Sequence, residues 1–539
     1  MPSLVPNHHA FSRRAAIRAG AAGLIGGHVV LADAFAVHAH QSAMPTATDA
    51  GVTQDQVTQA VDALDAMIAD AQETTGVSVA VVYGDEVLAT RGYGVASTGT
   101  NDPIDSDTIF QLASLSKPIA STVVASIVGD EAVTWDTKIV DHLSEFAMHD
   151  PWVTSEITIR DMFAHRSGLP EHAGDLIEDI GYDRDEVLHR LRHQHPDSSF
   201  RSTYAYTNFG LTAGAVTASN ATGAAWEDAS AERLYGPAGM TRTSSRFDDY
   251  LEADNRASGH VLIDDAWTPR YIRDADAQSP AGGVSSTAID MAQWMRLQLA
   301  NGMLDGDLVI PSDALAETHR PQIISNHAGD PAVNRASFYG LGWNVSYDDQ
   351  GAVQLSHSGA FALGSGTAVY LLPAEHLGIV VLTNAAPVGV AESIALGFLD
   401  IARTGAVQND YVSILAPVFA DLVAPAYGTA ISDAPPPTDP SPPQKPATYT
   451  GAFRNDLYGP ITFAEESGEL VVNIGPAPDT YPLTHWDRDT FTYLPIGENA
   501  NVPAAITFTI GADGTASHVV IENLDIHEQG MFVRVPASE

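Results

Sequence analysis

The 539-residue chain contains no cysteine. That excludes disulfides, thiolate metal sites, iron–sulfur clusters, a cysteine nucleophile and lipid attachment at cysteine. Cations are scarce. There are 26 Lys plus Arg against 67 Asp plus Glu, a formal charge of −41, and only Lys117, Lys138 and Lys445 are lysines. A surface of that sign does not neutralise phosphates, so nucleic acid is not an expected partner. The acidic excess with so few lysines suggests a saline or extracellular setting. Three motifs are also missing: Gly-x-Ser-x-Gly, His-Glu-x-x-His and a Gly-x-x-x-x-Gly-Lys phosphate loop. Their absence disfavours a nucleophile-elbow hydrolase, a zinc peptidase and a phosphate-loop enzyme. No metal and no cofactor is expected.

What is present is 45% hydrophobic residues, enough for large soluble cores in a chain too long for one domain. Residues 1–39 read as an export signal. Arg13-Arg14 precede an uncharged Ala- and Gly-rich stretch from Ala19 to Leu31, and small-residue cleavage options follow up to Ala39. This order fits the twin-arginine route, and the apolar run is shorter than the ~20 residues that span a bilayer. The expectation is a protein exported folded, secreted or periplasmic, with no stable membrane insertion.

Residues 54–71 carry apolar side chains at helical spacing, and 77–83 and 86–93 read as a hairpin around Gly84-Asp85. A helical middle follows. Strands are expected from residue 353 to Asn384, then a helix at about 390–403. That order predicts an α+β domain over 53–405: an antiparallel sheet flanked by helices, with an inserted helical subdomain. A helix and Pro-rich linker occupy 406–446. Short strand candidates at 448–453, 459–464, 469–474, 491–494, 504–510, 517–522 and 530–535 predict a small all-β barrel over 447–537.

Three short segments carry the chemistry. In FQLASLSKPIA (110–120), Ser114 and Lys117 stand three apart; a helix starting at Ser114 puts both on one face, with Pro118 tolerated in its first turn. In FRSTYAYTNFG (200–210), Tyr206 and Asn208 stand two apart and point the same way on an extended or loop segment. In LSHSGA (355–360), His357 and Ser358 lie on opposite faces of a strand, and Gly359 permits close backbone approach. If that strand is an edge, the Ala360 amide is free to join the Ser114 amide in cradling an oxyanion. Each segment alone also fits an ordinary reading: a capped surface helix, an aromatic loop, a structural histidine.

In this order and with these supporting segments (HRSGLP at 165–170, GPAGMTRT at 236–243, SPAGGVSST at 279–287, YGLGW at 339–343), the chain resembles the serine β-lactamase and penicillin-binding enzyme superfamily, in its class C-like branch, over roughly residues 53–403. The resemblance implies that Ser114 attacks a carbonyl to form an acyl-enzyme, with Lys117 and Tyr206 handling its proton. Asn208, His357, Ser358 and Gly359 would bind substrate, and the Ser114 and Ala360 amides would form the oxyanion hole. His-Ser-Gly replaces the Lys-Thr-Gly usual in efficient β-lactamases. It is similar to D-aminopeptidases, some DD-carboxypeptidases and esterases. The expected substrates are therefore short esters or D-residue peptides, including cell-wall peptides. The alternatives are a non-catalytic module that binds cell-wall peptides and a weak true β-lactamase. The C-terminal barrel resembles the lipocalin-like appendage of such hydrolases.

Overall fold

Period-2 alternation lets one sheet serve two cores. In the computed structural model, which describes residues 51–70, 75–329, 334–348, 351–428, 431, 437–498, 500 and 502–536, Val77, Val79 and Val81 face one side of strand Gly76–Tyr83 and Ala80 and Val82 the other. Ile379 and Val381 alternate in the same way with Val380 and Leu382 on strand Leu377–Thr383. The first set packs under helices Gln54–Asp70 and Val390–Thr404. The second set packs under Ala288–Leu299, in a core cluster that also takes in Ser116–Gly129 and Asn208–Thr222. Residues 1–39, expected to be an export signal, lie outside the described residues.

The sheet has eight antiparallel strands. Their order is Glu86–Gly94, Gly76–Tyr83, Leu377–Thr383, Ser365–Leu372, Val353–Phe361, Asn344–Tyr347, Ser337–Tyr339 and Ile323–Asn326. The N-terminal hairpin thus zips onto the C-terminal strands, Val77 opposite Thr383, and the helical segments between them form an insertion. This is the expected mixed helix and antiparallel-sheet architecture.

The strand Val353–Phe361 is interior to the sheet. Its neighbour Asn344–Tyr347 pairs only with Val353 to Ser356, so the half from His357 onward is paired on one side only, with Ser365–Leu372.

A second, nine-stranded antiparallel sheet follows, running from Asp479–Pro482 through Gly451–Asn455 to Thr484–Asp487. Its two end strands are consecutive in the chain and do not pair with each other, which leaves a barrel-like sheet nearly closed. Seven strands were expected here. The pair Asp479–Pro482 and Thr484–Asp487 is short, polar and interrupted by proline, and so lacks the apolar alternation that marks a strand. The expected strand at 448–453 begins instead as the helical turn Pro446–Tyr449, with Pro446 at its first position, where a missing N–H removes no bond. Among the described residues no helix is long and apolar enough to cross a membrane.

Candidate active site

The nucleophile segment is built from a strained turn. Ala113 is non-glycine at φ 49°, in the left-handed region, and is held there by burial against Ala275 and Phe361. Ala113–Leu115 is a 3₁₀ turn, and the α-helix begins only at Ser116, two residues later than expected. Ser114 therefore sits at the mouth of the helix rather than within it. It is partly exposed, while Lys117 is fully buried.

Lys117 Nζ donates to Ser114 Oγ at 3.0 Å, to Asn208 Oδ1 at 2.7 Å and to the Ala281 carbonyl at 3.0 Å, and lies 4.4 Å from the centre of the Tyr206 ring. Burial lowers its pKa to about 7, and Asp175 opposes the shift. The Tyr206 phenol makes a hydrogen-bonding contact with Ser114, and burial pushes its pKa well up. Tyr206 and Asn208 do converge across Thr207, whose backbone is extended and which stands just before the helix that Asn208 opens.

The Val353–Phe361 strand meets the nucleophile turn at Gly359. A Cβ there would lie 2.1 Å from the Leu112 carbonyl oxygen, 2.3 Å from Thr367 Oγ1 and 3.1 Å from the Leu115 amide. This contact joins the two segments that carry the Ser114 and Ala360 amides.

His357 behaves differently from expectation. Its Nε2 is 2.9 Å from the Tyr339 hydroxyl and its Nδ1 2.7 Å from the Ser358 carbonyl. The carbonyl accepts only, so Nδ1 donates and Nε2 accepts from the phenol. Burial lowers its pKa to about 3, with the nearby Lys117 adding to the effect. The ring is neutral, with both nitrogens occupied, and is not placed to hold a substrate carboxylate. Ser358 is also corrected. It points to the opposite face of the sheet, where its side chain hydrogen-bonds Glu392 of the helix Val390–Thr404.

Several residues at the site were not singled out from the sequence. The HRSGLP, SPAGG and YGLGW segments were noticed without roles. They supply His165, whose ring lies 4.7 Å from that of Tyr206; the Ala281 carbonyl; and Tyr339. Asp175 left no signal among 67 acidic residues; its Oδ2 accepts from Asn208 Nδ2 at 2.8 Å and pairs with His172 Nδ1 at 2.8 Å.

A loop between two strands of the second sheet, Thr490–Tyr493 and Ala504–Ile510, also reaches this region. Glu498 accepts from the Ala362 amide at 2.6 Å and pairs with Arg273 at 2.9 Å; Arg273 in turn pairs with Glu178 at 2.7 Å. Among the described residues no cluster of His, Asp or Glu has the arrangement of a metal site.

A family model described as beta-lactamase matches residues 59–398, more than half the chain. The protein belongs to the beta-lactamase family. Residues 435–533 match a second model, a domain of unknown function, DUF3471. Among curated relatives, the chain is 27% identical over 487 residues to unguisins hydrolase ungD' of Aspergillus campestris (strain IBT 28561), covering 83% of this chain and 86% of that protein. It is 28% identical to penicillin-binding protein 4 of Amycolatopsis lactamdurans, over 60% of this chain and 82% of that one. It is 22% identical to the D-alanyl-D-alanine-carboxypeptidase/endopeptidase AmpH of Escherichia coli (strain K12), over 61% and 84% respectively. The octameric penicillin-binding protein homologue from Pyrococcus abyssi shares the fold with a TM-score of 0.54 at 16% identity, over 88% of this chain and all of that one.

Proposed function

We propose that this protein is a serine hydrolase that forms an acyl-enzyme on Ser114 and acts on uncharged ester or amide bonds, such as short esters and D-residue peptides. The observation that carries this reading is a fully buried Lys117 amine 3.0 Å from the Ser114 hydroxyl, its pKa lowered by burial to about 7. Such an amine is a working base near neutrality. Tyr206, with its pKa pushed up by burial, stays protonated there. Lys117 is then the primary base, and Tyr206 passes a proton to the leaving group. The Ser114 and Ala360 amides receive the oxyanion, Asn208 orients the substrate carbonyl, and water hydrolyses the ester in the second half-reaction.

The substrate class follows from the third segment. A neutral His357 with both nitrogens engaged offers a substrate carboxylate no cation, unlike a lysine at that place. β-Lactams and peptides that end in a free carboxylate are disfavoured. The twin-arginine pattern in residues 1–39 adds that the enzyme works after export.

The test is labelling with a fluorophosphonate probe together with a substrate panel. The wild type should be labelled and Ser114→Ala should not; equal labelling of both sinks the mechanism. p-Nitrophenyl butyrate should be cleaved at least tenfold faster than nitrocefin, roughly the effect of one lost charge-assisted contact. A nitrocefin rate equal to or above the ester rate would overturn the substrate assignment.

A further inference from the structure

The Asn208 carboxamide is symmetric in shape, and nothing in Asn208 itself decides which end faces Lys117. The deciding group is Asp175, at the start of the short helix Asp175–Asp179. An ionised carboxylate only accepts, so the –NH₂ end of Asn208 must turn toward Asp175 Oδ2, and Oδ1 must then face Lys117 Nζ. The same Oδ2 takes the Nδ1–H of His172, while no other hydrogen bond reaches Oδ1 among the described residues.

We propose, resting on the reading of Ser114 and Lys117 above, that Asp175 is a positioning residue. It locks the Asn208 carboxamide with Oδ1 toward Lys117, and with His172 as its counter-charge it sets the pH at which Lys117 gives up its proton.

The charges around this pair come from several elements. Asp175 feels Lys117, and the loop before it brings Glu171 and His172. Glu178 and Asp179 lie on its own helix; loops between strands of the second sheet add Glu498 and His527. Lys117 also faces His165 and His357, both held neutral by burial first and by Lys117 second, as well as the protonated Tyr206. Among these groups Asp175 is the one joined to Lys117 by hydrogen bonds through a single side chain, Asn208. Asp175 favours the charged form of Lys117. Burial alone would lower the pKa of His172, but its hydrogen bond to Asp175 and the Asp175 charge raise it overall, and the protonated ring opposes that field.

The signs of the two substitutions are therefore opposite. Loss of the Asp175 charge makes Lys117 easier to deprotonate. Loss of the His172 charge leaves Asp175 unbalanced and makes Lys117 harder to deprotonate. A purely structural role moves neither limb in a defined direction.

The experiment is the pH dependence of kcat/KM for p-nitrophenyl butyrate in the full chain, with fluorophosphonate labelling and thermal unfolding alongside. The wild-type acid limb is expected at about pH 7. Asp175→Asn should move it down by roughly 0.5–1 pH unit, less than a directly adjacent charge would give because His172 discharges at the same time, and should also lower kcat. His172→Gln keeps a donor to Asp175 and should move the limb up. Folded variants whose limbs stay put or move the same way overturn the proposal. If Asp175→Asn does not fold, the His172→Gln limb decides alone: upward supports, unmoved or downward overturns. A wild type that is neither labelled nor hydrolytic removes the serine-hydrolase reading itself. A labelled wild type whose limb ignores both substitutions removes only the role of Asp175.

Discussion

Lys117→Arg is expected to lower kcat/KM toward p-nitrophenyl butyrate by about 10³-fold or more between pH 6 and 9, within the range that loss of a general base produces. The exchange keeps a positive charge, so it separates two explanations of a lysine beside a serine. If the cation only stabilises negative charge, arginine substitutes at modest cost. If the amine must be neutral to accept the Ser114 proton, arginine fails, because its guanidinium stays protonated throughout this range. The mechanism proposed above puts Lys117 in the second case. Burial brings its pKa to about 7, and at 3.0 Å from Ser114 Oγ the lone pair of the neutral amine can take the proton directly. Arginine also has no room. The amine is enclosed by Asn208 Oδ1 and the Ala281 carbonyl. Lys117→Met provides the control for size, since it removes the charge without adding bulk, and it should fall equally far. Arginine activity within tenfold of wild type would reject the neutral-base mechanism.

Gly359→Ala is the second large effect. One methyl group at this position must displace the Leu112 carbonyl, 2.1 Å away, and Thr367 Oγ1, 2.3 Å away; the first is backbone and cannot rotate aside. Overpacking of this kind costs about 1–3 kcal/mol. The functional loss should be larger than the stability loss suggests. Relief of the clash pushes the Ala113–Leu115 turn away from the strand, and a displacement of ~1 Å at a reacting centre costs on the order of 10²-fold in rate. The expected result is a folded protein with a lowered Tm and kcat/KM reduced by about 10²-fold or more. The drop should appear in kcat more than in KM, because the proposed oxyanion contacts would form in the transition state. An alanine variant with wild-type kcat would mean that the turn and strand need not touch.

Much of the site was readable from local sequence. Ser114 and Lys117 share a helical turn, so three residues of spacing suffice to bring them together, even though the α-helix starts two residues later than expected. Gly359 was legible as a close-approach residue, because only a missing Cβ allows backbone to pack on backbone. The strands Ser365–Leu372 and Leu377–Thr383 were legible because they are continuous apolar runs buried on both faces. Ser358 and His357 were misread in function for one reason. Alternation along a strand says that the two side chains oppose each other, but it does not say which face holds the pocket or what already occupies a ring nitrogen.

The composition excluded thiol chemistry, phosphate recognition and several hydrolase classes. The ordered segments marked Ser114, Lys117, Tyr206 and Asn208, since these depend on residue type and short spacing. Tertiary structure alone decided the rest. Only folding buries Lys117 deeply enough to bring its pKa to about 7, closes both nitrogens of His357 with Tyr339 and the Ser358 carbonyl, and selects Asp175 from 67 acidic residues to hold Asn208. Desolvation and hydrogen-bond partnership are properties of what surrounds a side chain in space. Here the surroundings come from segments up to 240 residues apart, as when Lys117 and His357 meet around one ring of tyrosine.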